Sequence, residues 1–279
     1  SSSPGIALMQ EGISMLAATE IPCVIVNVMR GGPGLGGIQP AQSDYFQMTR
    51  GGGNGDYRII SLAPSNLQES AEMMQEAFKL AQKYRTPVFL VSDGMLGQMM
   101  EPVELEQSPG RERPAEQPWM LAGHHNNRAP RTIKSLRLDP AELEIHNLKL
   151  QKKYQRMSQA EVRFEVYGEV DAELLFCAFG STARIVKNSV DDLRQKGYRV
   201  GLIRPQTLWP FPTRPFKSLA DSCRSVLCVE MSCGQMLDDV KLAVEGRLPV
   251  HFYGRCGGMI PEPDELTARA LDILAGGSQ

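Results

Sequence analysis

Arg30 is the residue best placed by type and neighbours to do chemistry. It closes the apolar run P-C-V-I-V-N-V-M (22–29) and precedes Gly31-Gly32. Open α/β sheets bind ligands beyond the carboxyl ends of their strands. A guanidinium fixed there can grip a carboxylate through two parallel N–H bonds, and glycines beside it let a substrate come close. The opposing reading is a solvated arginine in a surface ion pair. The residues alone leave both open.

Four other groups could carry chemistry. Gly32-x-Gly34-x-x-Gly37 matches the dinucleotide fingerprint, yet Ile38-Gln39-Pro40 interrupts the helix whose N-terminus would have to meet a pyrophosphate. A mobile or close-packed glycine loop is the simpler reading. Gly53-Asn54-Gly55-Asp56 resembles the glycine-acid-glycine loop with which many thiamine diphosphate enzymes hold magnesium. That loop needs a further Asn downstream, and residues 78–86 contain none, so a flexible glycine turn suffices. The histidines, His124, His125, His146 and His251, show no ligand spacing, and no metal site is expected. Cys223, Cys228 and Cys233 recur every five residues, which fits neither zinc nor iron–sulfur ligation. Buried structural thiols are the expectation there.

The elements that must position these residues follow from composition and periodicity. A chain of 279 residues suggests two domains, each with its own core. With 30 Lys+Arg against 32 Asp+Glu and no basic run, nucleic acid is a poor partner. Six cysteines without a C-x-x-C pair exclude a disulfide scaffold and point to a reducing compartment, hence a cytoplasmic one. The longest strongly apolar stretch, 21–29, is far shorter than a membrane span needs, and no signal peptide precedes it.

Residues 22–29 read as a strand covered on both faces, followed by a glycine loop. Arg58 to Ala63 is a second strand, and Asn66 with Glu69 three residues on starts a helix. Leu67, Ala71, Met74, Phe78 and Ala81 make its apolar face, and Val88 to Val91 is a third strand ending at Ser92-Asp93-Gly94. Strand, helix, strand implies a parallel βαβ unit, which puts Asp93-Gly94 and Arg30 on one sheet edge. Prolines 102, 109, 114 and 118 mark a linker. Asp139-Pro140 opens a helix with Leu143, His146, Leu150, Tyr154 and Met157 on one stripe, expected to bridge two domains. Beyond Glu169, strands at 173–179, 199–203, 225–229 and 250–253 alternate with helices at 182–196 and 235–245, the first burying Ala183, Val186, Val190 and Leu193. The fold class is α/β with two parallel-sheet domains: residues 1–105, a linker with its bridging helix over 106–168, and residues 169–279.

Taken together, several segments resemble one family. Ser1-Ser2-Ser3-Pro4-Gly5 before an apolar helix, R-G-G-P-G-L-G (30–36), Q-S-D-Y (42–45), R-T-P-V-F-L-V-S-D-G-M-L-G-Q-M-M-E-P-V (85–103) and R-P-Q-T-L-W-P-F-P (204–212) are similar to the alpha subunits of 2-oxoacid:ferredoxin oxidoreductases. M-R-G-G-P-G-L-G, R-G-G-G-N-G-D-Y-R and D-G-M-L-G-Q-M-M-E-P-V most resemble the branched-chain, 2-oxoisovalerate type, with the 2-oxoglutarate type next.

The resemblance implies that the first domain is part of a thiamine diphosphate pyrimidine-binding domain and the second is transketolase C-terminal-like. It implies oxidative decarboxylation of 2-oxoisovalerate to acyl-CoA and CO2 with reduction of ferredoxin. Arg30, Gly31 and Gly32 would meet the substrate carboxylate, and Ser3, Pro4 and Gly5 would lie at the cofactor's aminopyrimidine. Family members also carry an opening Y-P-I-T-P and a catalytic glutamate. Neither is present, so the glutamate is expected upstream of Ser1 and the chain is expected to be truncated and inactive alone. Magnesium, the diphosphate site and [4Fe-4S] clusters are expected on partner subunits: a beta subunit, gamma and ferredoxin-like subunits, with ferredoxin and coenzyme A as further partners. A nicotinamide-binding dehydrogenase domain and a non-catalytic assembly subunit are the competing readings.

Overall fold

In the computed structural model, residues 1–105, 116–123, 128–168, 172–219 and 223–276 are described. The first sheet has the strand order 23–29, 87–93, 60–62, 207–209 and the second 164–168, 200–205, 174–177, 225–230, 250–254. The chain opens with α1 (Ser3–Thr19), β1 (Cys23–Met29), α2 (Tyr45–Arg50), β2 (Ile60–Leu62), α3 (Leu67–Tyr84) and β3 (Pro87–Asp93). It continues with α4 (Pro140–Ala160), β4 (Phe164–Gly168), β5 (Leu174–Cys177), α5 (Gly180–Gln195), β6 (Val200–Pro205) and β7 (Thr207–Trp209). The last elements are α6 (Arg214–Lys217), β8 (Ser225–Glu230), α7 (Gln235–Val244), β9 (Val250–Gly254) and α8 (Pro263–Leu274).

The parallel βαβ unit is present: β2, α3 and β3 are consecutive, and β3 also pairs in parallel with β1. Met29 lies opposite Asp93, and Gly94 N donates to Met29 O at 3.1 Å. Arg30 and Asp93-Gly94 therefore share one sheet edge, as parallel order requires.

Three expectations are corrected. β1 was read as covered on both faces, but it is the outermost strand of its sheet, and only Asn27 and Met29 on it are fully buried. A continuous β-branched run reports β-propensity and does not report how completely each face is covered. The α3 stripe is turned about one residue from its predicted face: Met73, Ala77, Leu80 and Ala81 are buried, while Phe78 is 57% exposed. The helix is apolar at 73, 77 and 80 as well as at 74, 78 and 81, and packing buries the 73-77-80 side of that wide arc. The α3 start is as expected on one side only, with Asn66 Oδ1 accepting from Glu69 N at 2.8 Å. The Glu69 carboxylate turns instead to Ser65 N and to Arg204.

The linker and the second unit also differ in detail. Residues 164–168, inside the segment read as linker, form β4, an antiparallel edge strand of the second sheet. Residues 207–209 form β7, which adds antiparallel to β2 of the first sheet. Prolines 109 and 114 lie outside the described residues. The bridging helix, α4, directs its hydrogen bonds to the first unit: His146 Nε2 to Ala18 O, Gln151 to Asp56 O, and Lys153 to Glu20 and Arg85 O. The α5 stripe is as read, with Ala183, Val186, Val190 and Leu193 all buried. No helix of the described residues is long and apolar enough to cross a membrane.

Candidate functional site

Ser3 joins α1 to the end of β1. Its Oγ accepts from Arg30 N at 3.1 Å and donates to Arg30 O at 3.3 Å, so the strand end is stitched to the helix entry. Pro4 suits the first turn because its missing N–H would be unpaired there. Gly5 lets the Ser1 side chain lie against the helix entry, since a Cβ there would stand 2.1 Å from Ser1 Oγ. Ser1 itself runs beside β1, accepting from Val28 N and donating to Val26 O. The sequence therefore brings Ser3, Pro4, Gly5, Arg30, Gly31 and Gly32 to one place.

The Arg30 side chain is held by hydrogen-bond acceptors of the backbone and a hydroxyl. Its Nε donates to Ser2 Oγ at 3.2 Å, and one terminal nitrogen donates to Leu35 O and to Gly37 O. Among the described residues no carboxylate pairs with it. The loop closes on itself: Gly31 N donates to Gln39 O and Gly37 N donates to Gly31 O. Gly36 has φ +51°, and a Cβ there would stand 1.8 Å from Gly31 O, so only glycine fits. No helix opens between residues 32 and 40, and the dinucleotide geometry is not formed.

The Gly53-Asn54-Gly55-Asp56 turn has a different reason from the one expected. Gly52 and Gly53 press against α1, where Cβ atoms would lie 2.8 Å from Gln10 and 2.6 Å from Gln10 O, while Asn54 Oδ1 accepts from Ser14 Oγ. Close approach, more than flexibility, requires these glycines.

Behind the loop lies a buried polar seam that sequence reasoning did not assign. Gln42 is fully buried, donates to Phe179 O, accepts from Thr182 Oγ1 and from Met231 N, and also donates its own N–H to Met231 O. Asp93 caps the turn after β3 through Met95 N and Leu96 N and accepts from Ser181 Oγ; burial pushes its carboxyl up. Tyr45 donates to Asp239 Oδ2 at 2.5 Å, and Arg50 pairs with the same carboxylate. Asn27 Nδ2 donates to Asp44, and its buried Oδ1 has no partner among the described residues. The available signal was a lone Asn inside an apolar strand, since buried polar groups need partners.

The other candidates separate. His124 and His125 lie outside the described residues. Cys223 and Cys228 are buried as expected, but Cys233 is exposed, because it lies in the turn after β8 where no element covers it. Among the described residues no cluster of three or more His, Cys, Asp or Glu could hold a metal ion. The set that could contact thiamine diphosphate is thus one-sided. It offers a helix entry and a cationic loop, with Ser3 Oγ already engaged as donor and as acceptor, and among the described residues no His, Cys, Asp or Glu cluster for a cation.

Comparison with known proteins covers the same ground. Residues 1–168 match the family described as pyruvate flavodoxin/ferredoxin oxidoreductase, thiamine diphosphate-binding, and residues 172–266 match pyruvate:ferredoxin oxidoreductase core domain II. The ketoisovalerate oxidoreductase subunit VorB of Methanothermobacter marburgensis is 44% identical over 98% of this chain and 77% of its own length. The 2-oxoglutarate synthase subunit KorA of Methanocaldococcus jannaschii is 34% identical over 97% of this chain and 79% of its own. A solved 2-oxoglutarate:ferredoxin oxidoreductase from Magnetococcus marinus, with 2-oxoglutarate, coenzyme A and succinyl-CoA bound, superposes with a TM-score of 0.80 at 26% identity. That match covers 97% of this chain, which spans only 52% of the solved one.

Proposed function

Because the chain belongs to the 2-oxoacid:ferredoxin oxidoreductase family, we propose that it is the subunit of a branched-chain enzyme that places the 2-oxoacid. The overall reaction is oxidative decarboxylation of 2-oxoisovalerate to acyl-CoA and CO2 with reduction of ferredoxin, in the cytoplasm. The observation carrying this reading is the 44% identity to a ketoisovalerate subunit against 34% to a 2-oxoglutarate one. A 2-oxoglutarate enzyme is the second reading, favoured by the solved relative's bound ligands. On this proposal residues 1–105 form the pyrimidine-side unit, 106–168 the linker and its helix, and 169–279 the second unit, with β4 strapped onto it.

Thiamine diphosphate, when bound, supplies a nucleophilic carbon and an electron sink for the 2-oxo carbon. This chain's residues do the positioning. Arg30 offers the substrate carboxylate its second terminal nitrogen, which has no partner among the described residues, while Ser2, Leu35 and Gly37 hold the rest of the guanidinium. Gly31 and Gly32 keep side chains out of the approach to it. Ser3, Pro4 and Gly5 fix the helix entry beside the aminopyrimidine, and Ser3 transmits that position to Arg30. The diphosphate, magnesium and [4Fe-4S] clusters belong to partner subunits, a beta subunit and gamma and ferredoxin-like subunits, and coenzyme A and ferredoxin are the acceptors.

The test is ferredoxin reduction by the reconstituted complex in the presence of coenzyme A. A higher kcat/KM for 2-oxoisovalerate than for 2-oxoglutarate is expected. The reverse order would overturn the branched-chain reading in favour of the second.

A further inference from the structure

Cys233 and Cys256 lie just past the carboxyl ends of adjacent strands. Parallel register sets Glu230 of β8 opposite Gly254 of β9, and Arg255 N donates to Glu230 O at 3.1 Å, so the two segments continue side by side. They are close enough that a Cβ on Gly254 would stand 2.4 Å from Ser232 O. Both cysteines are exposed and unbridged. Cys177, Cys223 and Cys228 are buried, so these two are set apart from them by access as well as by proximity.

Each of the two segments also holds the loop that carries Arg30. Met231, two residues before Cys233, accepts from Gln42 N through its carbonyl and donates its N–H to the Gln42 side-chain Oε1. Gly257 and Gly258, directly after Cys256, lie against the other end of that loop. A Cβ on Gly31 would stand 3.4 Å from Gly257 C, and one on Gly258 would stand 2.4 Å from Gln39 Cβ.

We propose that Cys233 and Cys256 are a redox dithiol that closes to an intramolecular disulfide by exchange with a low-molecular-weight disulfide, clamping together the two segments that seat loop 31–42. In the first step a cysteine thiolate attacks the reagent disulfide, the S–S bond breaks and one reduced thiol leaves. In the second, the other cysteine's thiolate attacks the mixed disulfide and expels the second reagent thiol. Two protein thiols are oxidised, one reagent disulfide is reduced to two thiols, and the two protons pass to them. The neighbouring Cys256 holds the Cys233 thiol above its usual range, so exchange quickens as pH rises.

The experiment treats the full chain with oxidised glutathione and follows free thiols in denaturant, intact mass and the peptide map. Loss of two of the six thiols without retained glutathione, and a Cys233–Cys256 linked peptide reversed by dithiothreitol, is expected. Cys233→Ser should instead keep one glutathione on Cys256, because the resolving thiol is gone. Stable glutathione on wild-type Cys233 or Cys256, or no linked peptide, overturns the proposal. Amide exchange across residues 31–40 should slow in the oxidised chain, and unchanged exchange would refute the coupling to the Arg30 loop.

Discussion

Ser3 Oγ and the Arg30 backbone exchange two hydrogen bonds, the hydroxyl accepting from Arg30 N at 3.1 Å and donating to Arg30 O at 3.3 Å. One hydroxyl thereby fixes the helix entry of α1 to the end of β1. Ser3→Ala removes both bonds and leaves two polar backbone atoms short of partners, so it should lower stability by about 1–3 kcal/mol. Urea unfolding of the two chains measures this, and an unchanged midpoint would show that water replaces the hydroxyl without cost.

Arg30→Lys should impair 2-oxoacid turnover in the reconstituted complex, and Arg30→Ala should impair it more. Lysine keeps the charge but loses the planar fork that Ser2, Leu35 and Gly37 hold. Removal of a charged hydrogen bond worth roughly 1.5–3 kcal/mol corresponds to about a tenfold to hundredfold fall in kcat/KM. Steady-state kinetics with both 2-oxoacids decides it. Equal kcat/KM in all three proteins would take Arg30 out of the substrate site.

Gly36→Ala should open the loop without unfolding the protein. The added Cβ would meet Gly31 O at 1.8 Å, so the backbone that presents Leu35 O and Gly37 O to Arg30 must move. A fall in kcat/KM comparable to that of Arg30→Lys, with near-native thermal unfolding, is expected. Full activity would mean that these carbonyls do not set the guanidinium.

Lys153 should make stability rise with pH above about 8. It is 5% exposed, and burial drives its pKa down from 10.5 to about 8 despite Glu20, with Lys149 and Arg85 adding repulsion. Below pH 8 the lysine is charged in both states and its desolvation penalty is fully present. Between pH 8 and 10.5 the unfolded chain binds more protons, so stability increases by up to about 1.4 kcal/mol per pH unit. Lys153→Met should lack this rise. Parallel urea-denaturation series from pH 7 to 10 compare the slopes, and identical slopes would place the titration elsewhere.

The isolated chain should bind thiamine diphosphate negligibly, with or without magnesium. Among its described residues no acidic, histidine or cysteine cluster is available for the cation, and Ser3 Oγ is already engaged. Titration calorimetry on the purified chain tests this. Saturable micromolar binding would locate the whole cofactor site on this chain.

The sequence by itself determined the elements with strong local signals and their family. The Asn66 cap of α3, the buried stripe of α5 and the parallel β2-α3-β3 unit follow from capping chemistry, helical period and crossover geometry acting within short stretches. Arg30 with its glycines stood out as a candidate because a charged residue at a strand end is conspicuous. Tertiary structure alone decided which strands share a sheet. β7 joins β2 across some 145 intervening residues, and β4 leaves the linker for the far sheet. It also decided the partners of Gln42 and Tyr45, which lie 137 to 194 residues away. Such pairings depend on matching register and on satisfying buried polar atoms between distant segments, and neither quantity leaves a periodic trace in the chain that supplies only one side.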